Sequence, residues 1–165
     1  MVILRAMNLR EGEAPEEMIS LRIWMDDRRV ITSRIRDIKA IEEIHESMNQ
    51  GKAPKSPDEF LGRVASTVFD RMEPFIEELE DCIAAAEERV AINEVSDLNE
   101  GMSTIRKRVA IFRRYIAPQR TVLEKLCHRA ISCVRPEIQQ HLGEEHDRVT
   151  RYVEELDELA SQRTS

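Results

Sequence analysis

Five side chains able to ligate a transition metal fall within the stretch 127–146: Cys127, His128, Cys133, His141 and His146. Tetrahedral zinc needs thiolates and imidazoles that converge on one point. Cys127 and Cys133 are six residues apart, and His141 and His146 are five apart. Neither spacing puts its pair on one helix face. Only a bend at Arg135-Pro136 would return Cys133 towards Cys127. The plainer reading makes Cys82, Cys127 and Cys133 small core residues.

A second set is all oxygen: Glu144, Glu145, Asp147, Glu154, Glu155, Asp157 and Glu158. Clusters of this kind suit Mg²⁺ and other hard cations that keep some of their water. On a lone helix they form a solvated face. If copies of the helix bundle about an axis, like charges meet across the interfaces. A divalent cation would then relieve the repulsion and make packing cation-dependent, which is the logic of a sensor.

The third set is basic: Arg106, Lys107, Arg108, Arg113, Arg114 and Arg120. Such a stripe is able to meet phosphates. No aromatic platform lies among these arginines, so single-stranded nucleic acid is a poor fit. The stripe is better read as the partner of an acidic helix, and no nucleic-acid partner is expected. Nothing points to an enzyme. Walker A, Gly-x-Gly-x-x-Gly, His-Glu-x-x-His and Gly-x-Ser-x-Gly sequences are all absent.

These residues sit on a chain whose charge alternates by segment. Residues 57–94 carry 11 acids and 3 bases, 104–135 carry 9 bases and 1 acid, and 136–165 carry 8 acids and 3 bases. The net charge is −7. Segments of opposite sign attract one another, whereas a nucleic-acid binder carries a net basic surface. With 35% charged and 41% apolar residues the chain has the composition of a folded domain. Aromatics at 4% and only 5 glycines disfavour a β-sandwich or a Gly-rich phosphate-binding fold. No apolar run approaches 18 residues, and no secretory signal is present. Three cysteines without framework spacing fit a reducing compartment.

The first 35 residues read as strands. Val2 to Leu9 is a mostly apolar run, and Gly12 and Pro15 follow in a polar loop. From Met18 to Asp26, Ile19, Leu21, Ile23 and Met25 alternate with Ser20, Arg22 and Trp24. After the turn Asp26-Asp27-Arg28-Arg29, Val30 to Ile35 alternates again. The simplest arrangement is an antiparallel hairpin with one more strand beside it. Three strands need helices on one face, or further strands.

Helices follow. Residues 38–50 form a short amphipathic one, with Ile38, Ile41, Ile44 and Met48 on one face and Gly51 as its stop. Ser56-Pro57-Asp58-Glu59 opens the next, with Ser56 as cap and Glu59 closing a capping box. Leu61, Val64, Val68, Met72, Phe75, Leu79, Cys82, Ala86 and Val90 recur at steps of 3 and 4. They predict one helix of about 50 Å. It breaks over 93–99, where Ser96 is the next cap. A second long helix carries Met102, Ile105, Val109, Phe112, Ile116, Leu123 and Leu126, with a kink expected at Pro118. A third runs from Pro136 with Ile138, Leu142, Val149, Tyr152, Leu156 and Leu159 on one face.

The expected organisation is α+β. A partial β/α layer spans 1–56, a long antiparallel helical hairpin 57–135, and the start of a further helix 136–165. Both ends read as cut from a longer protein.

Several stretches resemble the cytoplasmic domain of CorA-type metal-ion transporters. They are SLRIWMDDRRVITSRI, Gly51-Lys52-Ala53-Pro54, DEFLGRVASTVFDRMEPFIEELEDCI, MSTIRKRVAIFRRYIAPQRTVLEKL and RPEIQQHLGEEHDRVTRYVEEL, in the family's order. The Trp24 strand, the Asp-Arg-Arg-Val-Ile turn and Ile-Ala-Pro-Gln-Arg resemble the ZntB-like, zinc-transporting branch. The resemblance runs from Val2 to about Arg163.

That resemblance implies an α/β/α layered funnel and a homopentamer at the cytoplasmic face of the cell membrane. The last helix would be the start of a stalk leading into transmembrane helices that lie beyond this chain, the only link to a membrane. The family's Gly-Met-Asn pore signature lies beyond that stalk, and Gly101-Met102-Ser103 is not it. The expected ligands are divalent cations, Zn²⁺ or Mg²⁺, with no organic cofactor and no catalysis. Family members hold regulatory cations on stalk-helix carboxylates, and Glu144 and Asp147 fall nearest those positions. The tyrosine–aspartate pattern of the magnesium members is not present there. The competing reading is a helical protein–protein interaction module that never meets a membrane.

Overall fold

In the computed structural model, residues 1–91, 98–128 and 131–161 are described, with backbone alone at 90–91 and 98–100. Three strands open the chain: β1 (Val2–Ala6), β2 (Ile19–Met25) and β3 (Val30–Ser33). They form an antiparallel sheet in the order β1-β2-β3, with Leu4 opposite Leu21 and Trp24 opposite Ile31. The alternation in β2 sorts its side chains as expected. Ile19, Leu21 and Ile23 are buried, while Arg22 and Trp24 are exposed. The buried face meets the helices. The other face carries Ile3, Trp24 and Ile31, all substantially exposed.

Five helices follow: α1 (Lys39–Asn49), α2 (Pro57–Asp70), α3 (Glu73–Ala91), α4 (Leu98–His128) and α5 (Pro136–Ser161). Gly51 stops α1 by the mechanism its position suggests. Its φ is +80°, the Gly51 N–H donates to Met48 O, and the Lys52 N–H donates to Ser47 O. That pair of bonds is a Schellman motif, and its left-handed residue favours glycine.

The single long helix expected from Leu61 to Val90 is in fact two. α2 ends at Asp70 with Arg71 as its C-cap, and α3 restarts at Glu73. Pro74 is the cause. It has no N–H to donate to the Asp70 carbonyl and its ring crowds that carbonyl. At the second residue of a new helix the missing donor costs nothing. The apolar rhythm survives the break, because Val68, Met72, Phe75 and Leu79 are all buried.

The capping of α2 also differs from the expectation. Ser56 is the N-cap residue but makes no cap hydrogen bond. Glu59 accepts from the Lys55 N–H at 2.9 Å rather than from Ser56. Asp58 does the work instead, and its link to α5 is taken up in the Discussion.

α4 continues as one helix through Pro118. It lies against α5 along more of its length than against α3. The core joins the inner sheet face to α2 (Leu61, Val64, Phe69), α4 (Val109, Phe112, Ile116, Leu123) and α5 (Leu142, Val149, Tyr152, Leu156). Ser96 lies outside the described residues. Among those described, no helix is long and apolar enough to cross a membrane.

Candidate functional site

α5 is amphipathic, with the expected apolar residues Leu142, Val149, Tyr152, Leu156 and Leu159 buried. Its carboxylates divide by face. Glu144 and Asp147 are outside, with side chains 66% and 87% exposed. Three residues apart on a helix, they share one flank at a Cβ spacing of about 5–6 Å. Each has an imidazole beside it. Glu144 Oε2 lies 3.5 Å from His141 Nδ1, and Asp147 Oδ1 lies 3.2 Å from His146 Nδ1. The expected pair is therefore together, exposed and free to meet a hydrated cation. No third ligand joins it, because no group of three His, Cys, Asp or Glu side chains converges among the described residues.

Glu145 does not belong with this solvated set, where the sequence reading placed it. It is 3% exposed and faces α2. Ser66 donates its hydroxyl to Glu145 Oε1 at 2.7 Å, and the same oxygen lies 2.7 Å from His141 Nε2. Glu145 Oε2 has no hydrogen-bond partner among the described residues; Arg148 Nη1 is 3.6 Å away. A signal for this was present. Glu145 stands three residues after Leu142 and four before Val149, so it fills a missing step in the apolar stripe.

The thiol and imidazole set does not assemble. His128 and His146 approach edge to face at 6.4 Å, on facing turns of α4 and α5. Cys127 sits beside them, but burial pushes its thiol upward, with the charges of Asp147 and Glu124 adding to the effect. A thiol held protonated is a weak metal ligand. All three cysteines are unpaired and partly buried.

The basic stripe of α4 is spent largely within the fold. Arg108 lies 3.4 Å from Glu16 and 3.2 Å from Glu78 of α3, with its guanidinium over the Phe75 ring. Arg113 pairs with Asp157 of α5. Arg114 lies over the Tyr115 ring. The acidic face between α3 and α5 is less well matched. Arg151 bridges Glu73 and Glu155, at 3.7 Å to each. Burial raises the Glu155 carboxyl, and the charge of Glu80 raises it further.

Comparison with known proteins bears on this arrangement. A family model described as "CorA-like Mg2+ transporter protein" matches residues 1–165. The divalent cation transporter CmaX of Pseudomonas aeruginosa is 37% identical over 166 residues, covering 100% of this chain and 50% of that protein. The zinc transport protein ZntB of Pectobacterium atrosepticum is 27% identical over 164 residues, covering 99% of this chain and 50% of that one. The chain thus spans about half the length of these relatives. Among solved structures, full-length CmaX superposes with a TM-score of 0.88 at 36% identity, over 96% of this chain and 49% of that one. The ZntB cytoplasmic domain from Vibrio parahaemolyticus gives 0.80 at 23% identity, over 96% of this chain and 62% of that one. The latter likeness speaks to fold alone.

Proposed function

The chain belongs to the CorA-like family, and from that premise we propose that it is the cytoplasmic ion-gathering and regulatory part of a divalent-cation transporter. The observation that carries this reading is the match along the whole chain to a transporter family, joined to a fold shared with full-length CmaX. The cation is Zn²⁺ or Mg²⁺, met as cargo or regulator. The protein works by binding and coupling, with no catalysis and no organic cofactor. It acts at the cytoplasmic face of the cell membrane.

The site supports the reading through what it lacks. Glu144 and Asp147 offer two exposed carboxylates on one flank and no third ligand among the described residues. A cation there keeps most of its water or is completed by another subunit. We place these residues at the interface between stalk helices of a homopentamer. A cation between stalks offsets carboxylate repulsion and holds them together, so occupancy is coupled to the arrangement of the helices.

The reading frame following Ser165 gives the first test. Two apolar stretches of about 20 residues each are expected there. A stop codon immediately after Ser165 would overturn transport and favour the interaction module. The site is tested separately by Glu144→Lys with Asp147→Lys in the full-length protein. Reversal should weaken the effect of added Mg²⁺ or Zn²⁺ on assembly, and an unchanged cation titration sinks the assignment.

A further inference from the structure

We propose that His141, Glu145 and Ser66 form a second metal site, within one subunit, for a Zn²⁺-class cation between α2 and α5. The site stands on the geometry of this chain, whatever becomes of the transport reading.

The donor set is right for such an ion. An imidazole nitrogen and a carboxylate oxygen are both normal zinc ligands. His141 and Glu145 are four residues apart on α5, so they rise from one helix face. Their ligating atoms, Nε2 and Oε1, are 3.9 Å apart. Tetrahedral bonds of about 2.0–2.1 Å put neighbouring ligand atoms roughly 3.4 Å apart, so a shift of about half an ångström closes the pair on a metal. The rest of the shell comes from Ser66 Oγ and from water. A cleft of about 250 Å³ lined by Glu43, Ser47, Arg63, Thr67 and His141 brings solvent to the imidazole.

Proton accounting at Ser66 favours a cation. Its oxygen meets Glu145 Oε1 at 2.7 Å, His141 Nε2 at 2.7 Å and the Gly62 carbonyl at 3.2 Å. The single hydroxyl proton cannot serve all three. With a metal between His141 and Glu145, Ser66 turns its proton to the Gly62 carbonyl and its lone pairs to the ion. Glu145 is 3% exposed, and its Oε2 has no hydrogen-bond partner among the described residues. A buried carboxylate in that state is costly, and a bound cation compensates it.

Two further features belong to a built site. A ligating histidine usually gives its other ring N–H to a carboxylate, which fixes the ring. His141 Nδ1 faces Glu144 Oε2 at 3.5 Å. The α2 residue against the ring is Gly62, where an added Cβ would lie 3.2 Å from His141 Cδ2. Glycine inside a helix costs about 1 kcal/mol relative to alanine. Here it leaves room for the imidazole to lie against the helix backbone.

The test uses Zn²⁺ alone by calorimetry and Co²⁺ alone by visible absorption, since four-coordinate Co²⁺ absorbs strongly and the hydrated ion weakly. One ion per chain is expected. His141→Gln should weaken binding at least about tenfold, and Glu144→Gln by about tenfold through loss of the orienting carboxylate. Gly62→Ala improves helix propensity, so it keeps the fold while crowding the ring, and should weaken binding several-fold. Asp147→Asn, and serine at Cys82, Cys127 and Cys133 together, should leave binding unchanged. No binding of either ion overturns the proposal. So does binding that survives His141→Gln, that follows Asp147 instead, or that is lost with the cysteines. The Asp147 outcome would leave the stalk-helix assignment standing, so the two readings fail separately.

Discussion

Asp58 ties the first turn of α2 to the start of α5, and its removal should be felt across the fold. It is 3% exposed. Oδ2 accepts the Arg135 backbone N–H at 3.1 Å and Nε at 2.8 Å, while Oδ1 accepts the Glu59 N–H at 3.0 Å and the Ser56 hydroxyl. Burial pushes the carboxyl upward, but the Arg135 side chain, Ser56 and the Arg135 N–H outweigh it and hold the group well below its usual 3.8. Asp58→Ala strips these partners at once. Hydrogen bonds to a charged group are worth about 1.5–3 kcal/mol, and an acid at a helix N-terminus adds about 0.3–1 kcal/mol. We expect a loss of about 3 kcal/mol. For a chain of this length 1 kcal/mol moves Tm by about 2–4 °C, so the melt followed by circular dichroism should fall by roughly 6–12 °C at pH 7. The pH dependence has a definite sign. The unfolded chain takes up the Asp58 proton below pH 3.8 while the folded chain does not, so stability falls as pH falls. Between pH 5 and pH 3 the advantage over Asp58→Asn should shrink by about 1 kcal/mol. A Tm change under about 2 °C, or a gap equal at both pH values, refutes this account.

Three further outcomes follow from single residues. Gly51→Ala puts a Cβ at φ +80° and should cost about 1 kcal/mol in urea unfolding without loss of helix content. Tyr152 is 1% exposed with no partner for its hydroxyl among the described residues. Tyr152→Phe should therefore raise stability by about 1 kcal/mol, and a measured loss would contradict the unpaired state. Glu155 binds its proton more tightly when folded, so its charge opposes folding as pH rises above 4.5. Glu155→Gln should raise Tm at pH 7, and that gain should fade as the melt is repeated towards pH 4.

What the sequence disclosed depended on the period of the pattern. Alternation in Ile19–Met25 and the 3/4 rhythm of α4 and α5 report which face is buried, and the fold buries those faces. The same rhythm passed unbroken through Met72 because apolar periodicity is blind to backbone donors. Pro74 was the informative residue there, and it ends α2 by what it lacks. Polar residues were hardest to place. Asp58 reads as helix-start chemistry, and its long-range partner Arg135 lies 77 residues away, beyond any local pattern. Glu144, Glu145 and Asp147 are one acidic run in the sequence, and only the helical phase separates the buried acid from the two exposed ones.

That phase has a mechanical consequence for α5. Its outward carboxylates Glu144 and Asp147 share a turn with Glu145, whose side chain is held by Ser66 of α2. Arg148 pairs with Asp70 at the end of α2, and Asp157 pairs with Arg113 of α4. From Glu145 to Asp157 these anchors span about 18 Å of helix. Bending α5 between them would break backbone hydrogen bonds or part a buried contact. A cation at Glu144 or Asp147 should therefore displace α5 as a rigid body together with α2 and α4. In the full-length protein, hydrogen exchange with and without saturating Mg²⁺ should change evenly across residues 142–156. A change confined to the turn around 144–147 would mean that α5 yields locally, and coupling along the stalk would then need another route.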